Sequence, residues 1–301
     1  MEFGKVEPDL LRSVDHSLPE SSFKTKALLK SLKTTSKTKV HFGCAKWGRK
    51  EWVGLVYPPK TKADDFLRKY SENFACIELN ATFYKIYDEA KIKEWDEATG
   101  KGFLFCPKFY QGITHYHRLN NCDELTTSFL RSISAFDKKR GPCFLQLPNN
   151  FTTKKFADLQ KYLLALPKDL EVFVELRHTD WFTTNFRDEL YDFLSQNKFG
   201  WVITDTSGRR DCVHTELTIP KAFIRFVGNN IHSTDFPRIE SWIKQIKVWQ
   251  RTGIREIFFM MHQHDEKNTP IISEYLIRRL NEECGLKIPV PALLKKKIVK
   301  R

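Results

Sequence analysis

The chain of 301 residues has seven cysteines but no Cys-x-x-Cys pair, which leaves zinc-ribbon and thioredoxin-type centres without support. It has no run of about 18 apolar residues, so no membrane-spanning helix is expected. No Gly-x-Gly-x-x-Gly follows an apolar run, and the Walker phosphate loop is missing; the signatures of nucleotide-binding open sheets are therefore not met. There is no Gly-x-Ser-x-Gly, and no cysteine sits in an activating context, so covalent catalysis has no backing. The start of the chain lacks the apolar core of a secretory signal. Cys44, Cys76, Cys106 and Cys143 fall in apolar runs, as buried thiols of a reducing compartment do, and the expected location is the cytoplasm.

What is present is a composition able to build a large core: 41% hydrophobic, 13% aromatic, with 24 Phe. The net charge of +13 is unevenly placed, with +3 on residues 1–39 and +6 on 287–301, leaving +4 for the body. Basic ends of this kind hold phosphate backbones without sequence readout, or simply solubilise the chain. Nucleic acid is thus one candidate partner, through the ends. Residues 1–39 are expected to form a flexible N-terminal arm, 40–285 a single domain, and 286–301 a basic tail.

Eight short apolar runs read as strands: Val40–Trp47, Ala75–Phe83, Phe103–Phe109, Pro142–Pro148, Glu171–His178, Trp201–Thr206, Phe223–Gly228 and Glu256–His264. Most are continuous, the mark of strands buried on both faces. Between them, Phe156, Leu159, Leu163 and Leu166, or Trp242, Ile246 and Trp249, repeat with helical spacing. Thr152 or Thr153 is a candidate cap for the first of these helices. Alternating strands and helices predict a parallel sheet with right-handed crossovers, and eight repeats predict an α/β fold of one irregular (β/α)8 TIM-like barrel. The irregularity falls at Ser207–Lys221, which has no helical period.

Polar residues gather at the carboxyl ends of these strands, where such barrels place their sites. In Cys76-Ile-Glu-Leu-Asn-Ala-Thr-Phe-Tyr84, alternation puts Glu78, Asn80 and Thr82 on one face; in Val172–His178 it pairs Glu175 with Arg177. Lys46, Trp47, Lys108, Gln146, Asp205, Thr206, Arg225, His262, Gln263 and His264 complete the set.

Gly43-Cys-Ala-Lys-Trp47, Trp52 with Tyr57-Pro-Pro59, Ile77–Tyr84, Gln146-Leu-Pro148, Val174-Glu-Leu-Arg-His178 with Trp181, Asp205 and Arg225-Phe-Val-Gly228 together resemble the domain-of-unknown-function 72 (YecE-like) family across residues 40–285. The resemblance implies a TIM-like barrel with a polar cavity and supplies no activity. Where that family often closes its last strand with an Asn-rich turn, this chain has Met261-His-Gln-His264.

The residues suggest an enzyme, a hydrolase, lyase or isomerase, working on a small anionic or polyhydroxyl substrate. Glu78, Glu175 and Asp205 are the candidate catalytic carboxylates, since two carboxylates in unequal surroundings divide acid and base roles. Ion pairing of Glu78 with Lys46 or Lys108, and of Glu175 with Arg177 or Arg225, is the structural alternative. Lys46, Trp47, Asn80, Lys108, Gln146, Arg177 and Arg225 are the candidate substrate contacts, the cations for a phosphate or carboxylate. His262 and His264 share a face and are candidate ligands of a divalent metal. His115 and His117, in the loop after the third strand, either cover the site or face solvent. A ligand-binding barrel without catalysis uses the same cavity.

Overall fold

A computed structural model describes residues 3–32 and 37–294. Its elements follow the chain as helix α1 (Phe23–Lys30), strand β1 (Lys39–Cys44), α2 (Phe66–Ser71), β2 (Cys76–Leu79), α3 (Ala81–Tyr84), α4 (Glu89–Glu97) and β3 (Leu104–Pro107). Then come α5 (Asp123–Ser134), β4 (Cys143–Gln146), α6 (Phe156–Ala165), β5 (Val172–Glu175), α7 (Thr184–Gln196) and β6 (Gly200–Asp205). The chain continues with β7 (Lys221–Gly228), α8 (Asp235–Arg251), β8 (Glu256–Gln263) and α9 (Thr269–Cys284). All eight expected strands are present; β7 ends with its run at Gly228, and the other seven stop one or more residues before theirs, the last residues turning into loops.

The strands lie in the order β3-β2-β1-β8-β7-β6-β5-β4, and every pairing is parallel. The remaining seam closes through Gly141 N–H donating to Phe105 O at 2.7 Å and Phe109 N–H to Phe144 O at 3.1 Å. The result is a nearly closed (β/α)8 barrel. Its interior holds Cys76, Cys106, Phe144, Phe173, Val202, Phe223, Phe258 and Met260, all buried. The larger core lies between strands and helices, where Trp242, Ile246 and Trp249 of α8 are at most 1% exposed. Neither Thr152 nor Thr153 caps α6; a 3-10 turn over Thr153–Lys155 leads into it instead. No helix among the described residues is long and apolar enough to cross a membrane.

The segment between β6 and β7 carries a 3-10 turn at Arg210–Cys212 and no α-helix. Its place is filled from elsewhere. Residues 3–32, expected from composition to be a flexible arm, are docked on the barrel, with α1 between α7 and α8. Lys24 Nζ reaches Asp192 of α7 at 2.7 Å, and Phe23, Ala27 and Lys30 share an apolar groove with Val248 and Trp249 of α8. The buried Glu216 carboxylate accepts from Ser22 N at 3.1 Å, Ser22 Oγ at 2.5 Å and Thr25 Oγ1 at 2.6 Å. Those bonds satisfy a carboxylate that would otherwise be costly to bury. The basic stretch at residues 295–301 lies outside the described residues.

Candidate functional site

Side chains alternate along a strand, so the residue two places after each interior apolar residue points the same way, one layer nearer the carboxyl end. Cys76 is followed by Glu78, Cys106 by Lys108, Phe144 by Gln146, Phe173 by Glu175, Phe223 by Arg225 and Met260 by His262. A polar layer therefore caps the apolar interior. Arg225 is at its centre. Its Nε and Nη2 donate to Glu78 at 2.8 Å each, and its Nη1 donates to Glu175 at 2.7 Å. Glu78 also accepts from Asn80 Nδ2 and His262 Nε2, both at 2.9 Å. Glu175 accepts from Arg177 Nε at 2.7 Å. Gln146 Oε1 joins the other cations, taking Lys108 Nζ at 2.7 Å and Arg177 Nη2 at 2.9 Å.

These contacts set the charges. Burial alone would push Glu78 up, but Arg225 and His262 outweigh it and hold its carboxyl well below the usual range. Glu175 is lowered in the same way, burial being overcome by Arg177, Arg225 and Lys108. Arg225 is buried, yet Glu175 and Glu78 hold it protonated more firmly than an ordinary guanidinium. His262 is raised: burial opposes its charge, and Glu78 and Glu266 prevail. Lys108 goes the other way. Burial, reinforced by Arg225, brings its ammonium down to about 7. Its Nζ also lies 4.1 Å from the Phe83 ring centroid, a cation–π contact.

Above this layer opens a cavity of about 870 Å³. Of the expected contacts, Lys46, Asn80, Lys108, Gln146, Arg177 and Arg225 line it, as do His262 and His264. Glu78 and Glu175 do not. They are fully buried beneath the cations, with their oxygens engaged in ion pairs with Arg225 and Arg177. Asn80 is placed differently from the expectation: β2 ends at Leu79 and the chain turns into α3, with the Asn80 amide folding back onto Glu78. The Thr82 hydroxyl donates to backbone carbonyls of Leu79 and Lys108, both at 2.8 Å, tying β2 to β3.

Asp205 is the clearest correction. It stands one residue off the inward-facing positions Val202 and Thr204, and so points out of the barrel. There it pairs with Arg210, accepts from Arg238 Nη2 at 2.9 Å and from Trp242 Nε1 at 2.7 Å, under α8. Trp47 is also outside the cavity: its ring packs edge-on against Trp95 at 5.7 Å and its carbonyl accepts from Tyr57. Trp52 and Trp181 are fully buried, their indole N–H groups donating to backbone oxygens of Glu266 and Phe151.

Both ring nitrogens of His262, one of the candidate metal pair, already face carboxylates, Glu78 at 2.9 Å from Nε2 and Glu266 at 3.6 Å from Nδ1, which favour the charged ring against its burial. Among the described residues no three His, Cys, Asp or Glu groups converge with metal-holding geometry.

Several lining residues carry no strong sequence signal. Arg49 and Asp265 come from loops, Glu266 opens a 3-10 turn over Glu266–Asn268, and Gln111 precedes a further turn after β3. His115 and Tyr116 belong to a π-helical turn, Gly112–Tyr116, after β3, the kind of irregular turn often found at sites. His115 packs edge-on against Phe83 at 4.9 Å. Burial, with Lys108 and Arg177 nearby, lowers it to about 4, so it is neutral near pH 7. His117 is not among the lining residues. Phe3, far away in sequence, stacks on Arg177 with the guanidinium carbon 4.1 Å from the ring centroid.

Comparison with known proteins matches residues 41–294 to the family described as "Protein of unknown function DUF72". The UPF0759 protein YecE of Escherichia coli is 28% identical over 276 residues, covering 84% of this chain and 97% of that protein. The UPF0759 protein YunF of Bacillus subtilis is 27% identical over 173 residues, 54% of this chain and 58% of that one. Crystal structures of DUF72 family proteins share the fold. The one from Enterococcus faecalis aligns with a TM-score of 0.65 at 19% identity, over 83% of this chain and 99% of that chain. The one from Thermotoga maritima aligns with a TM-score of 0.66 at 21% identity, over 82% and 100%.

Proposed function

Since the chain belongs to the DUF72 family, whose function is unknown, its chemistry has to be read from its own cavity, and we propose that it binds a small anion there and moves a proton with Lys108. One observation supports this reading most strongly. Lys108, Arg177 and Arg225 line one cavity while the carboxylates that balance them, Glu78 and Glu175, lie underneath. The cations are thus held in place from below and presented from above. An anion entering the cavity meets fixed positive groups and pays little to reorganise them. Arg177 suits the planar oxygens of a carboxylate or phosphate, and Arg225, fully buried with its nitrogens on Glu78 and Glu175, adds its charge from the cavity floor. The Asn80 and Gln146 amides, on the same wall, suit hydroxyl groups of the ligand.

Catalysis in this reading falls to Lys108 rather than to the glutamates. A general acid or base works best with a pKa near the operating pH, and Lys108 at about 7 meets that condition. Both glutamates are held ionised by salt bridges and are closed off from the cavity. An acid–base lyase or isomerase acting beside a carboxylate or phosphate group is the reaction class that suits a neutral amine next to two guanidiniums. Calorimetry of the whole protein with inorganic phosphate and a panel of small hydroxycarboxylates tests binding. Lys108→Met should retain the fold, weaken those anions about tenfold or more, and abolish any proton exchange or turnover found for the bound compound. Wild-type protein that binds none of these anions would refute the reading.

A further inference from the structure

The matched family region begins at residue 41, yet one wall of the cavity is Phe3. Phe3 reaches that wall by a defined path. The Glu216 cluster seats α1. Upstream, Arg210 Nη2 donates to the carbonyls of His16 at 3.2 Å and Ser17 at 2.9 Å, and His16 Nε2 lies 3.0 Å from Ser207 Oγ. Arg210 is in turn paired with Asp205, so the carboxylate outside the barrel holds the N-terminal segment. At its head, Gly208 N–H donates to Gly4 O at 2.8 Å, and Thr206 Oγ1 donates to the same oxygen at 3.0 Å. Gly4 has φ +71, and a Cβ there would meet Thr206 Cγ2 at 2.3 Å. Only glycine turns the chain tightly enough at this point to lay Phe3 over the mouth.

The Phe3 ring then faces two guanidiniums, Arg177 at 4.1 Å and Arg209 at 5.0 Å from its centroid. Arg209 is itself tied to Arg177, its Nη2 donating to the Arg177 carbonyl at 2.6 Å. A ring lying over a guanidinium covers its face and leaves the N–H groups to act in its plane. The plane of Arg177 is already held by Glu175 and Gln146, so what Phe3 contributes is an apolar surface on a cavity also lined by Phe83, Tyr84 and Tyr116.

We propose that Phe3 is a specificity-determining residue: it selects anions that carry a ring-shaped body over bare anions, the body packing on Phe3 while the charge meets Lys108, Arg177 and Arg225. This rests on the anion-binding reading of the cavity. The test compares inorganic phosphate with phenyl phosphate by calorimetry on the full chain. Wild type binds phenyl phosphate more tightly. Phe3→Ala lowers that preference about fivefold to tenfold, the size of one aromatic packing contact, and leaves inorganic phosphate within about twofold of wild type. Phe3→Trp keeps the preference. Gly4→Val, which retains the ring and displaces the turn, loses it as Phe3→Ala does. Circular dichroism and melting show that each variant is folded. A preference unchanged in Phe3→Ala, or loss of both ligands together in that variant, or wild type that takes phosphate without preferring phenyl phosphate, overturns the assignment of Phe3. Wild type that binds neither compound overturns the anion-binding reading itself, and the two failures are thereby told apart.

Discussion

Two buried charge clusters sit at the carboxyl end of this barrel, and they do different work. The inner one joins Glu78, Glu175, Arg225, Arg177 and His262 within the strands. The outer one joins Asp205, Arg210, Arg238 and Asp235 between β6, β7 and α8. Each is buried and each satisfies its carboxylates with guanidinium groups. The difference is one of parity. Residues in step with Phe223 and Phe173 look into the barrel and present cations to a cavity; residues one position out of step look at helices and tie loops down. A one-residue offset on a strand separates a candidate site from scaffold.

The largest effect separating the clusters should come from Arg225→Met. It leaves two buried carboxylates without their shared cation, and removing one partner of a buried pair costs about 3–5 kcal/mol. Urea denaturation should show that loss together with loss of phosphate binding. Asp205→Asn should cost about 2–4 kcal/mol through the outer cluster, while inorganic phosphate affinity in calorimetry stays within about twofold; a large affinity loss there would erase the distinction. A smaller effect concerns pH. Lys108 titrates at about 7 in the folded chain against 10.5 ordinarily, so between these values the unfolded chain holds a proton that the folded one has released. Unfolding free energy should therefore rise with pH across that window, and Lys108→Met should flatten the rise in denaturant titrations. Asp192→Ala should be the mildest change. It removes the partly exposed Lys24–Asp192 pair between α1 and α7, and melting should show a loss of at most about 0.5 kcal/mol.

The barrel was legible because its signals are local: eight apolar runs, helical spacing between them, and alternation that puts Glu78 behind Cys76 and Arg225 behind Phe223. The inner layer was legible for the same reason. Asp205 was misplaced because position at a strand end was weighed without parity, and its true partners, Arg238 and Trp242, lie a helix away. The missing sixth helix showed as the irregular Ser207–Lys221 stretch, but nothing local says that α1 would occupy its place. Phe3 was beyond reach. Its position over Arg177 depends on a glycine turn, a loop arginine and Asp205, contacts that reach across up to 202 residues of sequence. That Glu78 and Glu175 share one layer followed from alternation along their strands, whereas their surroundings depend on which groups lie above them, which is a matter of depth and not of sequence.

The most direct test is the titration of the Lys108 side chain itself, by NMR of isotopically labelled lysine with Lys108→Arg to assign the signal, with and without inorganic phosphate. In the free protein Lys108 should titrate near 7 and climb toward the ordinary value when phosphate fills the cavity, because an added negative charge favours the ammonium. A Lys108 that titrates near 10.5 and ignores phosphate would contradict this.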